Sequence, residues 1–280
     1  MPEGPEVENV RRGLAKVLCG NVFLNRAVRP KPEDRLRKPI PSMNVVRNQS
    51  LTRIKRRGKH LIFQFEKHCL ISHLGMSGSW RISEKKVRQK HDLFSMGLLK
   101  DDKQLWAFYN DPRRFGSLTL VENTKEGLGS VLGKLGPEPN KRWTSQKLLS
   151  ALTKGQIKNS LLDQSIICGI GNIYASEILF RSGIDPTTPS NLITPDEADR
   201  IVKVTIKLLA LATKLGGSSI STYRNVKGQK GTAQSLHVVY GRAGKPCRRK
   251  GCEGLIESFK QGGRSTFWCP KCQTSNGFKL

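Results

Sequence analysis

The chain has 280 residues, long enough for a buried core and one or two domains. It carries 49 Lys+Arg against 22 Asp+Glu, a formal charge of +27. A surplus spread along the whole chain points to a polyanionic partner. No apolar run reaches the ~18–20 residues of a spanning helix, and residues 1–20 lack the order of a signal peptide, so a soluble intracellular protein is expected.

The chain opens Met1-Pro2-Glu3-Gly4-Pro5-Glu6. Loss of Met1 would leave Pro2 as a secondary amine. An α-amino group titrates near ~7.7–8.0, so part of it is neutral and nucleophilic at cellular pH. Such an amine forms an iminium with an aldehyde-like carbon, with Glu3 and Glu6 at hand for proton transfer. Read structurally, the same residues are an ordinary acidic, proline-bearing helix start. Val7, Val10, Leu14, Val17 and Leu18 then recur at helical spacing, and Gly20 closes the helix.

Residues 21 to 122 read as β. Short apolar runs at 51–54, 61–65, 70–74, 98–99, 105–109 and 117–121 are separated by turn residues. With no helical pattern between them, an antiparallel sandwich or barrel follows. Arg56-Arg57-Gly58-Lys59 predicts a basic hairpin turn. Glu84 to Lys90 is a charged loop followed by His91, which taken alone reads as an ordinary loop residue. The loops His73-Leu74-Gly75-Met76-Ser77-Gly78 and Asp111-Pro112-Arg113-Arg114-Phe115-Gly116 present a Met, an aromatic and arginines. Such tips usually tuck into the core, but on a basic protein they can wedge between bases.

Pro137-Glu138-Pro139-Asn140 marks a domain boundary, after which the period becomes helical. Helices are predicted over 145–152, over 157–167, and from an Asn172 cap to Ser182, closed by Gly183. Thr194-Pro195-Asp196-Glu197 is a capping box that starts a long amphipathic helix ending at Gly216-Gly217. The Gly169-Ile170-Gly171-Asn172 turn can offer free N–H groups to a phosphate, with Lys158 upstream as a second contact, although glycine turns between helices are ordinarily structural.

Seven cysteines are present; Cys19, Cys69 and Cys168 lie in apolar surroundings. The other four read Cys247-x4-Cys252-x16-Cys269-x2-Cys272, a tetrahedral set for one structural zinc ion. Residues 255–259 and 265–268 form a hairpin between the pairs, turning at Gln261-Gly262-Gly263. Too small to hold its own core, the module needs the metal to fold. Its basic residues, Arg264 above all, suggest DNA contact.

Taken together, PEGPEVENVRRGL, RRGKHL, HLGMSG with DPRRFG, LLDQSIICGIGNIYASEILFRSGIDP, and the cysteine tail with QGGRSTFWC resemble the formamidopyrimidine-DNA glycosylases of the Fpg/Nei superfamily. The resemblance runs through nearly the whole chain. It implies an α+β fold: an N-terminal antiparallel β-sandwich with a leading helix (1–136), a helix-two-turn-helix domain with a lesion-capping loop at 217–234 (137–235), and a four-cysteine zinc finger (236–280). It implies a bifunctional glycosylase and abasic-site lyase acting on oxidised purines in double-stranded DNA. Pro2 is then the nucleophile on C1′, Glu3 the acid, and Glu6 an organising carboxylate. Lys59 contacts the phosphate flanking the lesion, and His91 contacts DNA. Met76, Arg113 and Phe115 fill the space of the flipped base. Lys158 and Asn172 bind phosphate, and Arg264 is the zinc-finger arginine on DNA. A monomer working on bacterial chromosomal DNA in the cytoplasm, without a membrane partner, is implied. Gly4 stands where the purine branch commonly has Leu and is typical of the oxidised-pyrimidine branch, the endonuclease VIII type. Four residues separate the first cysteine pair where two are commoner. A non-catalytic zinc-dependent DNA-binding protein would keep the tail and the charge without needing Pro2.

Overall fold

The computed structural model describes residues 2–24, 39–218 and 231–273. The chain forms two compact units: 1–134 with 215–232, and 135–214 with 233–280. Most of the segment expected to close over a flipped base, residues 219–230, lies outside the described residues, as does Met1.

In the first unit, α1 (Gly4–Leu18) buries Val7, Val10, Leu14 and Leu18 on one face. It is followed by β1 (Val22–Phe23), β2 (Arg53–Arg57), β3 (His60–Gln64), β4 (His68–His73), β5 (Ser79–Ser83), β6 (Asp92–Lys100), β7 (Lys103–Asn110) and β8 (Ser117–Glu122). They make two antiparallel sheets, ordered β1-β6-β7-β5 and β2-β3-β4-β8. The core between them joins the α1 stripe to Phe63, Trp80, Phe94 and Tyr109. This is the expected sandwich. Two strands are less visible in the sequence. β6 is buried from Asp92 to Leu98 on both faces, so no alternation marks it, and Gly97 gives way to the Trp106 ring beside it. β5 offers only Trp80 as a buried residue. A short helix, α2 (Lys125–Leu132), was not expected; it buries no side chain, which is why no periodicity announces it.

The second unit holds α3 (Ser145–Ala151), α4 (Ile157–Leu162), α5 (Asn172–Ser182), α6 (Pro195–Lys214) and the hairpin of β9 (Glu257–Gln261) and β10 (Arg264–Trp268). Thr194 and Glu197 form the predicted capping box of α6: the Thr194 hydroxyl accepts the Glu197 N–H at 3.3 Å, and Glu197 accepts the Thr194 N–H at 3.0 Å. The helix expected over 157–167 stops at Leu162. Asp163 and Gln164 end it, because their side chains satisfy local groups: Asp163 accepts the Ser165 N–H at 2.8 Å, and Gln164 bonds Gly169 and Ile170. Gly183, at φ 70°, closes α5 as predicted. Residues 135–214 and the cysteine tail lie in this unit, while 215–232 belong to the first.

Candidate active site and nucleic-acid interface

The site of the first unit starts at the N-terminal segment. Pro2 is buried, and Glu3 and Glu6 expose 2% and 1% of their surface. Glu6 is the clamp. One carboxylate oxygen accepts the Glu3 N–H at 2.8 Å and the other accepts the Ser218 N–H at 2.6 Å. Gly217, at φ 80°, brings that backbone in; a Cβ there would sit 2.9 Å from Glu6 Cγ. One turn on, Glu8 ties α1 to the sheet through Arg56 at 3.4 Å, while Arg11 reaches the Ile54 carbonyl at 3.3 Å. Burial pushes the Glu8 carboxyl up, but Arg11, Arg12 and Arg56 around it hold it below the usual range. The backbone leading to Pro2 is therefore fixed from both sides rather than frayed.

Arg56 and Lys59 flank the predicted β2–β3 turn, where Gly58 takes φ 54°. Lys59 is buried to 6% exposure, not splayed at a rim. Behind it, His60 lies opposite His73 in the β3–β4 register, ring centroids 4.8 Å apart. Burial, then the neighbouring His60 and Lys59, pull His73 down to about 4, and burial likewise lowers His60. A neutral His73 accepts the Gly75 N–H on Nδ1 at 3.2 Å.

The loops that carry Met76, Arg113 and Phe115 are locked to each other. Ser77 Oγ donates to Asp111 at 2.6 Å and accepts the Arg113 N–H at 3.1 Å, and Asp111 also accepts the Gly116 N–H at 2.8 Å. The glycines of both motifs are required by close approach. A Cβ on Gly75 would meet the Phe115 carbonyl carbon at 2.5 Å, and one on Gly116 would meet Tyr109 Oη at 1.7 Å. The result exposes Met76 at 40% and stacks the Arg113 guanidinium 5.1 Å from the Phe115 ring. The three expected space-filling residues thus share one rigid loop pair.

His91 is half-buried at φ 69°, an uncommon region for a non-glycine residue. It is held by its neighbour Asp92, which no motif in the sequence marks. The Asp92 carboxylate accepts from Arg81, the Gln89 N–H and Asn110 Nδ2, while Arg88 donates to the Asp92 carbonyl. A lone acid just past the basic run 85–90 and His91 is the signal that points to it.

In the second unit the helix-turn-helix residues and the hairpin meet. Lys158 is fully buried, and its ammonium donates to Asn172 Oδ1 at 2.8 Å and Thr266 Oγ1 at 2.9 Å. Asn172 Nδ2 donates to the Ser265 carbonyl at 2.9 Å. Asn172 is not the cap of α5, as expected; Gly171 holds that position, because the amide is engaged by Lys158 and Ser265. Arg264 stands exposed beside the Gly262-Gly263 turn, whose two positive φ values suit a tight hairpin.

The four tail thiols lie within 4.8 Å of one another, with Cys247–Cys272 and Cys252–Cys269 at 3.8 Å. Four sulfurs at ~2.3 Å from a tetrahedral zinc ion stand about 3.8 Å apart, so the cluster fits a structural zinc site. The thiols pack with Phe180, Val239 and Ile256. A second anchor escaped the sequence reading. Glu177, 1% exposed, accepts the N–H groups of Val238, Val239 and Tyr240, each at 2.9 Å, and brings Tyr240 5.0 Å from the Phe267 ring.

Three sequence families match the chain. The N-terminal domain of formamidopyrimidine-DNA glycosylase matches residues 1–118, its H2TH domain 135–224, and the zinc finger found in FPG and IleRS 244–274. The chain belongs to the formamidopyrimidine-DNA glycosylase family. The enzyme of that name from Bdellovibrio bacteriovorus is 38% identical over 278 residues, covering 98% of this chain and 100% of the relative. The one from Laribacter hongkongensis is 40% identical over 280 residues, with the same coverage. A Lactococcus lactis FPG variant in complex with Fapy-dG-containing DNA superposes at a TM-score of 0.86, with 33% identity over 98% of this chain and 100% of that one. The Thermus thermophilus MutM (FPG) protein gives 0.83 at 35% identity, over 97% and 98%. The chain is thus a DNA glycosylase of base-excision repair, with double-stranded DNA as partner and the family's abasic-site lyase activity. Among the described residues no helix is long and apolar enough to cross a membrane.

Proposed function

We propose that the enzyme removes oxidised purines, 8-oxoguanine and formamidopyrimidines, and nicks the strand by β,δ-elimination through an iminium on Pro2. The lesion nucleotide is flipped out of the stack, at a cost of a few (~2–4) kcal/mol in lost stacking. Met76, Arg113 and Phe115 enter the space it leaves. The neutral Pro2 nitrogen attacks C1′, the damaged base departs with its bonding pair, and the proton released from the Pro2 nitrogen passes to the departing base. Glu3 protonates the ring oxygen as the sugar opens to the iminium. A base then removes the acidified C2′ proton and the 3′ phosphate leaves; a second elimination expels the 5′ phosphate. Cys247, Cys252, Cys269 and Cys272 would hold a structural zinc ion, which would supply folding energy to the hairpin that carries Arg264.

Lys59, His91, Asn172 and Arg264 hold the backbone of the duplex in this reading. Lys158 serves by orienting Asn172 and the hairpin, since its ammonium is directed at Asn172 and Thr266. The enzyme acts as a monomer on chromosomal DNA in the bacterial cytoplasm. The observation that carries the reading is the clamp on Glu6: a buried carboxylate that accepts the Glu3 and Ser218 N–H groups holds the residue next to Pro2, which supports a positioned amine. Gly4 favours a second reading, an oxidised-pyrimidine enzyme. Matched duplexes carrying 8-oxoguanine or thymine glycol decide between them: faster cleavage of the first supports the purine reading, faster cleavage of the second the other.

A further inference from the structure

At the far end of α5 from Asn172 lies a groove of about 460 Å³. The helix rises ~1.5 Å per residue, so Phe180 and Arg181 stand about 12–14 Å from the phosphate-binding end. The floor is aliphatic, built from Val204, Leu208, Leu211, Leu236 and Val238. Leu211 is 41% exposed, an apolar side chain presented to solvent on α6. The rim is cationic: Arg181, Lys207, Arg248 and Arg249, with no acid among the lining residues. Glu177 lies below, only 1% exposed and committed to backbone N–H groups and Arg181.

The guanidinium groups are held in place. Arg181 donates to the Leu236 carbonyl at 2.6 Å, Arg248 to His237 at 3.2 Å, and Arg249 to Phe180 at 2.7 Å. A guanidinium carries five donors in a rigid fork suited to carboxylates, and fixing its plane in advance lowers the cost of binding. Arg181 Nε is buried with no partner among the described residues.

We infer that this groove is a docking site for an acidic peptide segment bearing apolar side chains, supplied by a partner protein. Charge complementarity sets the flanks of the peptide, and the aliphatic floor sets its centre. Nucleic acid suits the groove less well. The aromatic face that bases need for stacking is absent, because the Arg249 guanidinium covers the Phe180 ring at 4.9 Å. Phosphates alone give no use to an exposed leucine.

The test is fluorescence anisotropy with the full chain and a labelled peptide of sequence Asp-Asp-Leu-Leu-Phe-Asp-Asp at near-physiological salt. Saturable binding is expected, undiminished by a saturating duplex that carries a lesion. Leu211→Glu and Lys207→Glu should each weaken it at least tenfold while lesion cleavage is unchanged. Replacing the three apolar residues of the peptide by serine should cost at least tenfold as well. No binding, equal binding of the serine peptide, displacement by duplex, or equal Leu211-dependent binding of a single-stranded thymidine oligomer would each overturn the proposal. None of these results bears on excision, which is read separately from cleavage.

Discussion

Glu177 is the residue whose removal has the most clearly defined consequence. Its carboxylate takes three successive N–H groups, and only the one from Val239 is fully buried; those of Val238 and Tyr240 are half-buried. Burial pushes the Glu177 carboxyl up, against those three bonds and Arg181, which pull it down. Leaving one buried N–H unpaired costs about 1–3 kcal/mol, and the two half-buried ones roughly half that each, since water can reach them. Glu177→Ala should therefore lower stability by about 2–6 kcal/mol, centred near ~4 kcal/mol. At roughly 2–4 °C per kcal/mol for a chain of this class, the centre of that range lowers the melting temperature by about 8–16 °C. Glu177→Gln keeps an acceptor oxygen but loses the charge, and about 1–2 kcal/mol is expected. Urea unfolding gives the energies, and hydrogen exchange gives their location: amides 238–240 should lose protection before the sandwich does. An alanine variant within ~1 kcal/mol of the parent, or unchanged exchange at those amides, refutes the anchoring argument.

Three further outcomes are expected. Metal analysis should find one zinc per chain, and Cys269→Ser or chelation should unfold the hairpin and weaken DNA binding, with the first unit's circular dichroism intact; zinc-free fresh protein would contradict the cluster geometry. Neutralising Lys59 or Arg264 should each reduce the salt slope of DNA binding by about one unit, whereas Lys158→Met should chiefly lower the melting temperature, because its ammonium is buried on protein acceptors; an unchanged slope for the first two places the phosphate contacts elsewhere. His73 and His237 both sit near about 4 in the folded state through burial, below the ordinary histidine value of 6.5. The neutral form is favoured by folding, so their stabilisation is complete above pH 6.5 and is lost as pH falls toward 4. His73→Phe should flatten part of that loss in melting curves taken across the window; an identical pH profile argues against a buried neutral His73.

Much of this protein can be read before folding it. The stripe Val7, Val10, Leu14 and Leu18 announces α1, and Thr194 to Glu197 announces α6, because local patterns and caps carry their own signal. The cysteine spacing announces its metal, since four thiols in two close pairs have few other uses. What stays hidden is set by tertiary context. β6 is buried on both faces and so loses its alternation. Asn172 looks like a helix cap until Lys158 and Ser265 claim its amide. Glu177 and Asp92 look like surface acids in a basic chain, and only the fold shows which backbone N–H groups they satisfy. The rigidity of the loop pair rests on Gly75 and Gly116, whose need appears only when the two loops are laid together.

The central claim is that the Pro2 nitrogen is the nucleophile, and borohydride reduction of the enzyme with lesion-bearing duplex, followed by peptide mass analysis, tests it directly. One covalent adduct is expected, on Pro2 of a chain that has lost Met1, and none when Met1 is retained behind an N-terminal tag, although that tagged protein still binds DNA. An adduct on Lys59 or any other lysine, or full excision by the tagged protein, would contradict it.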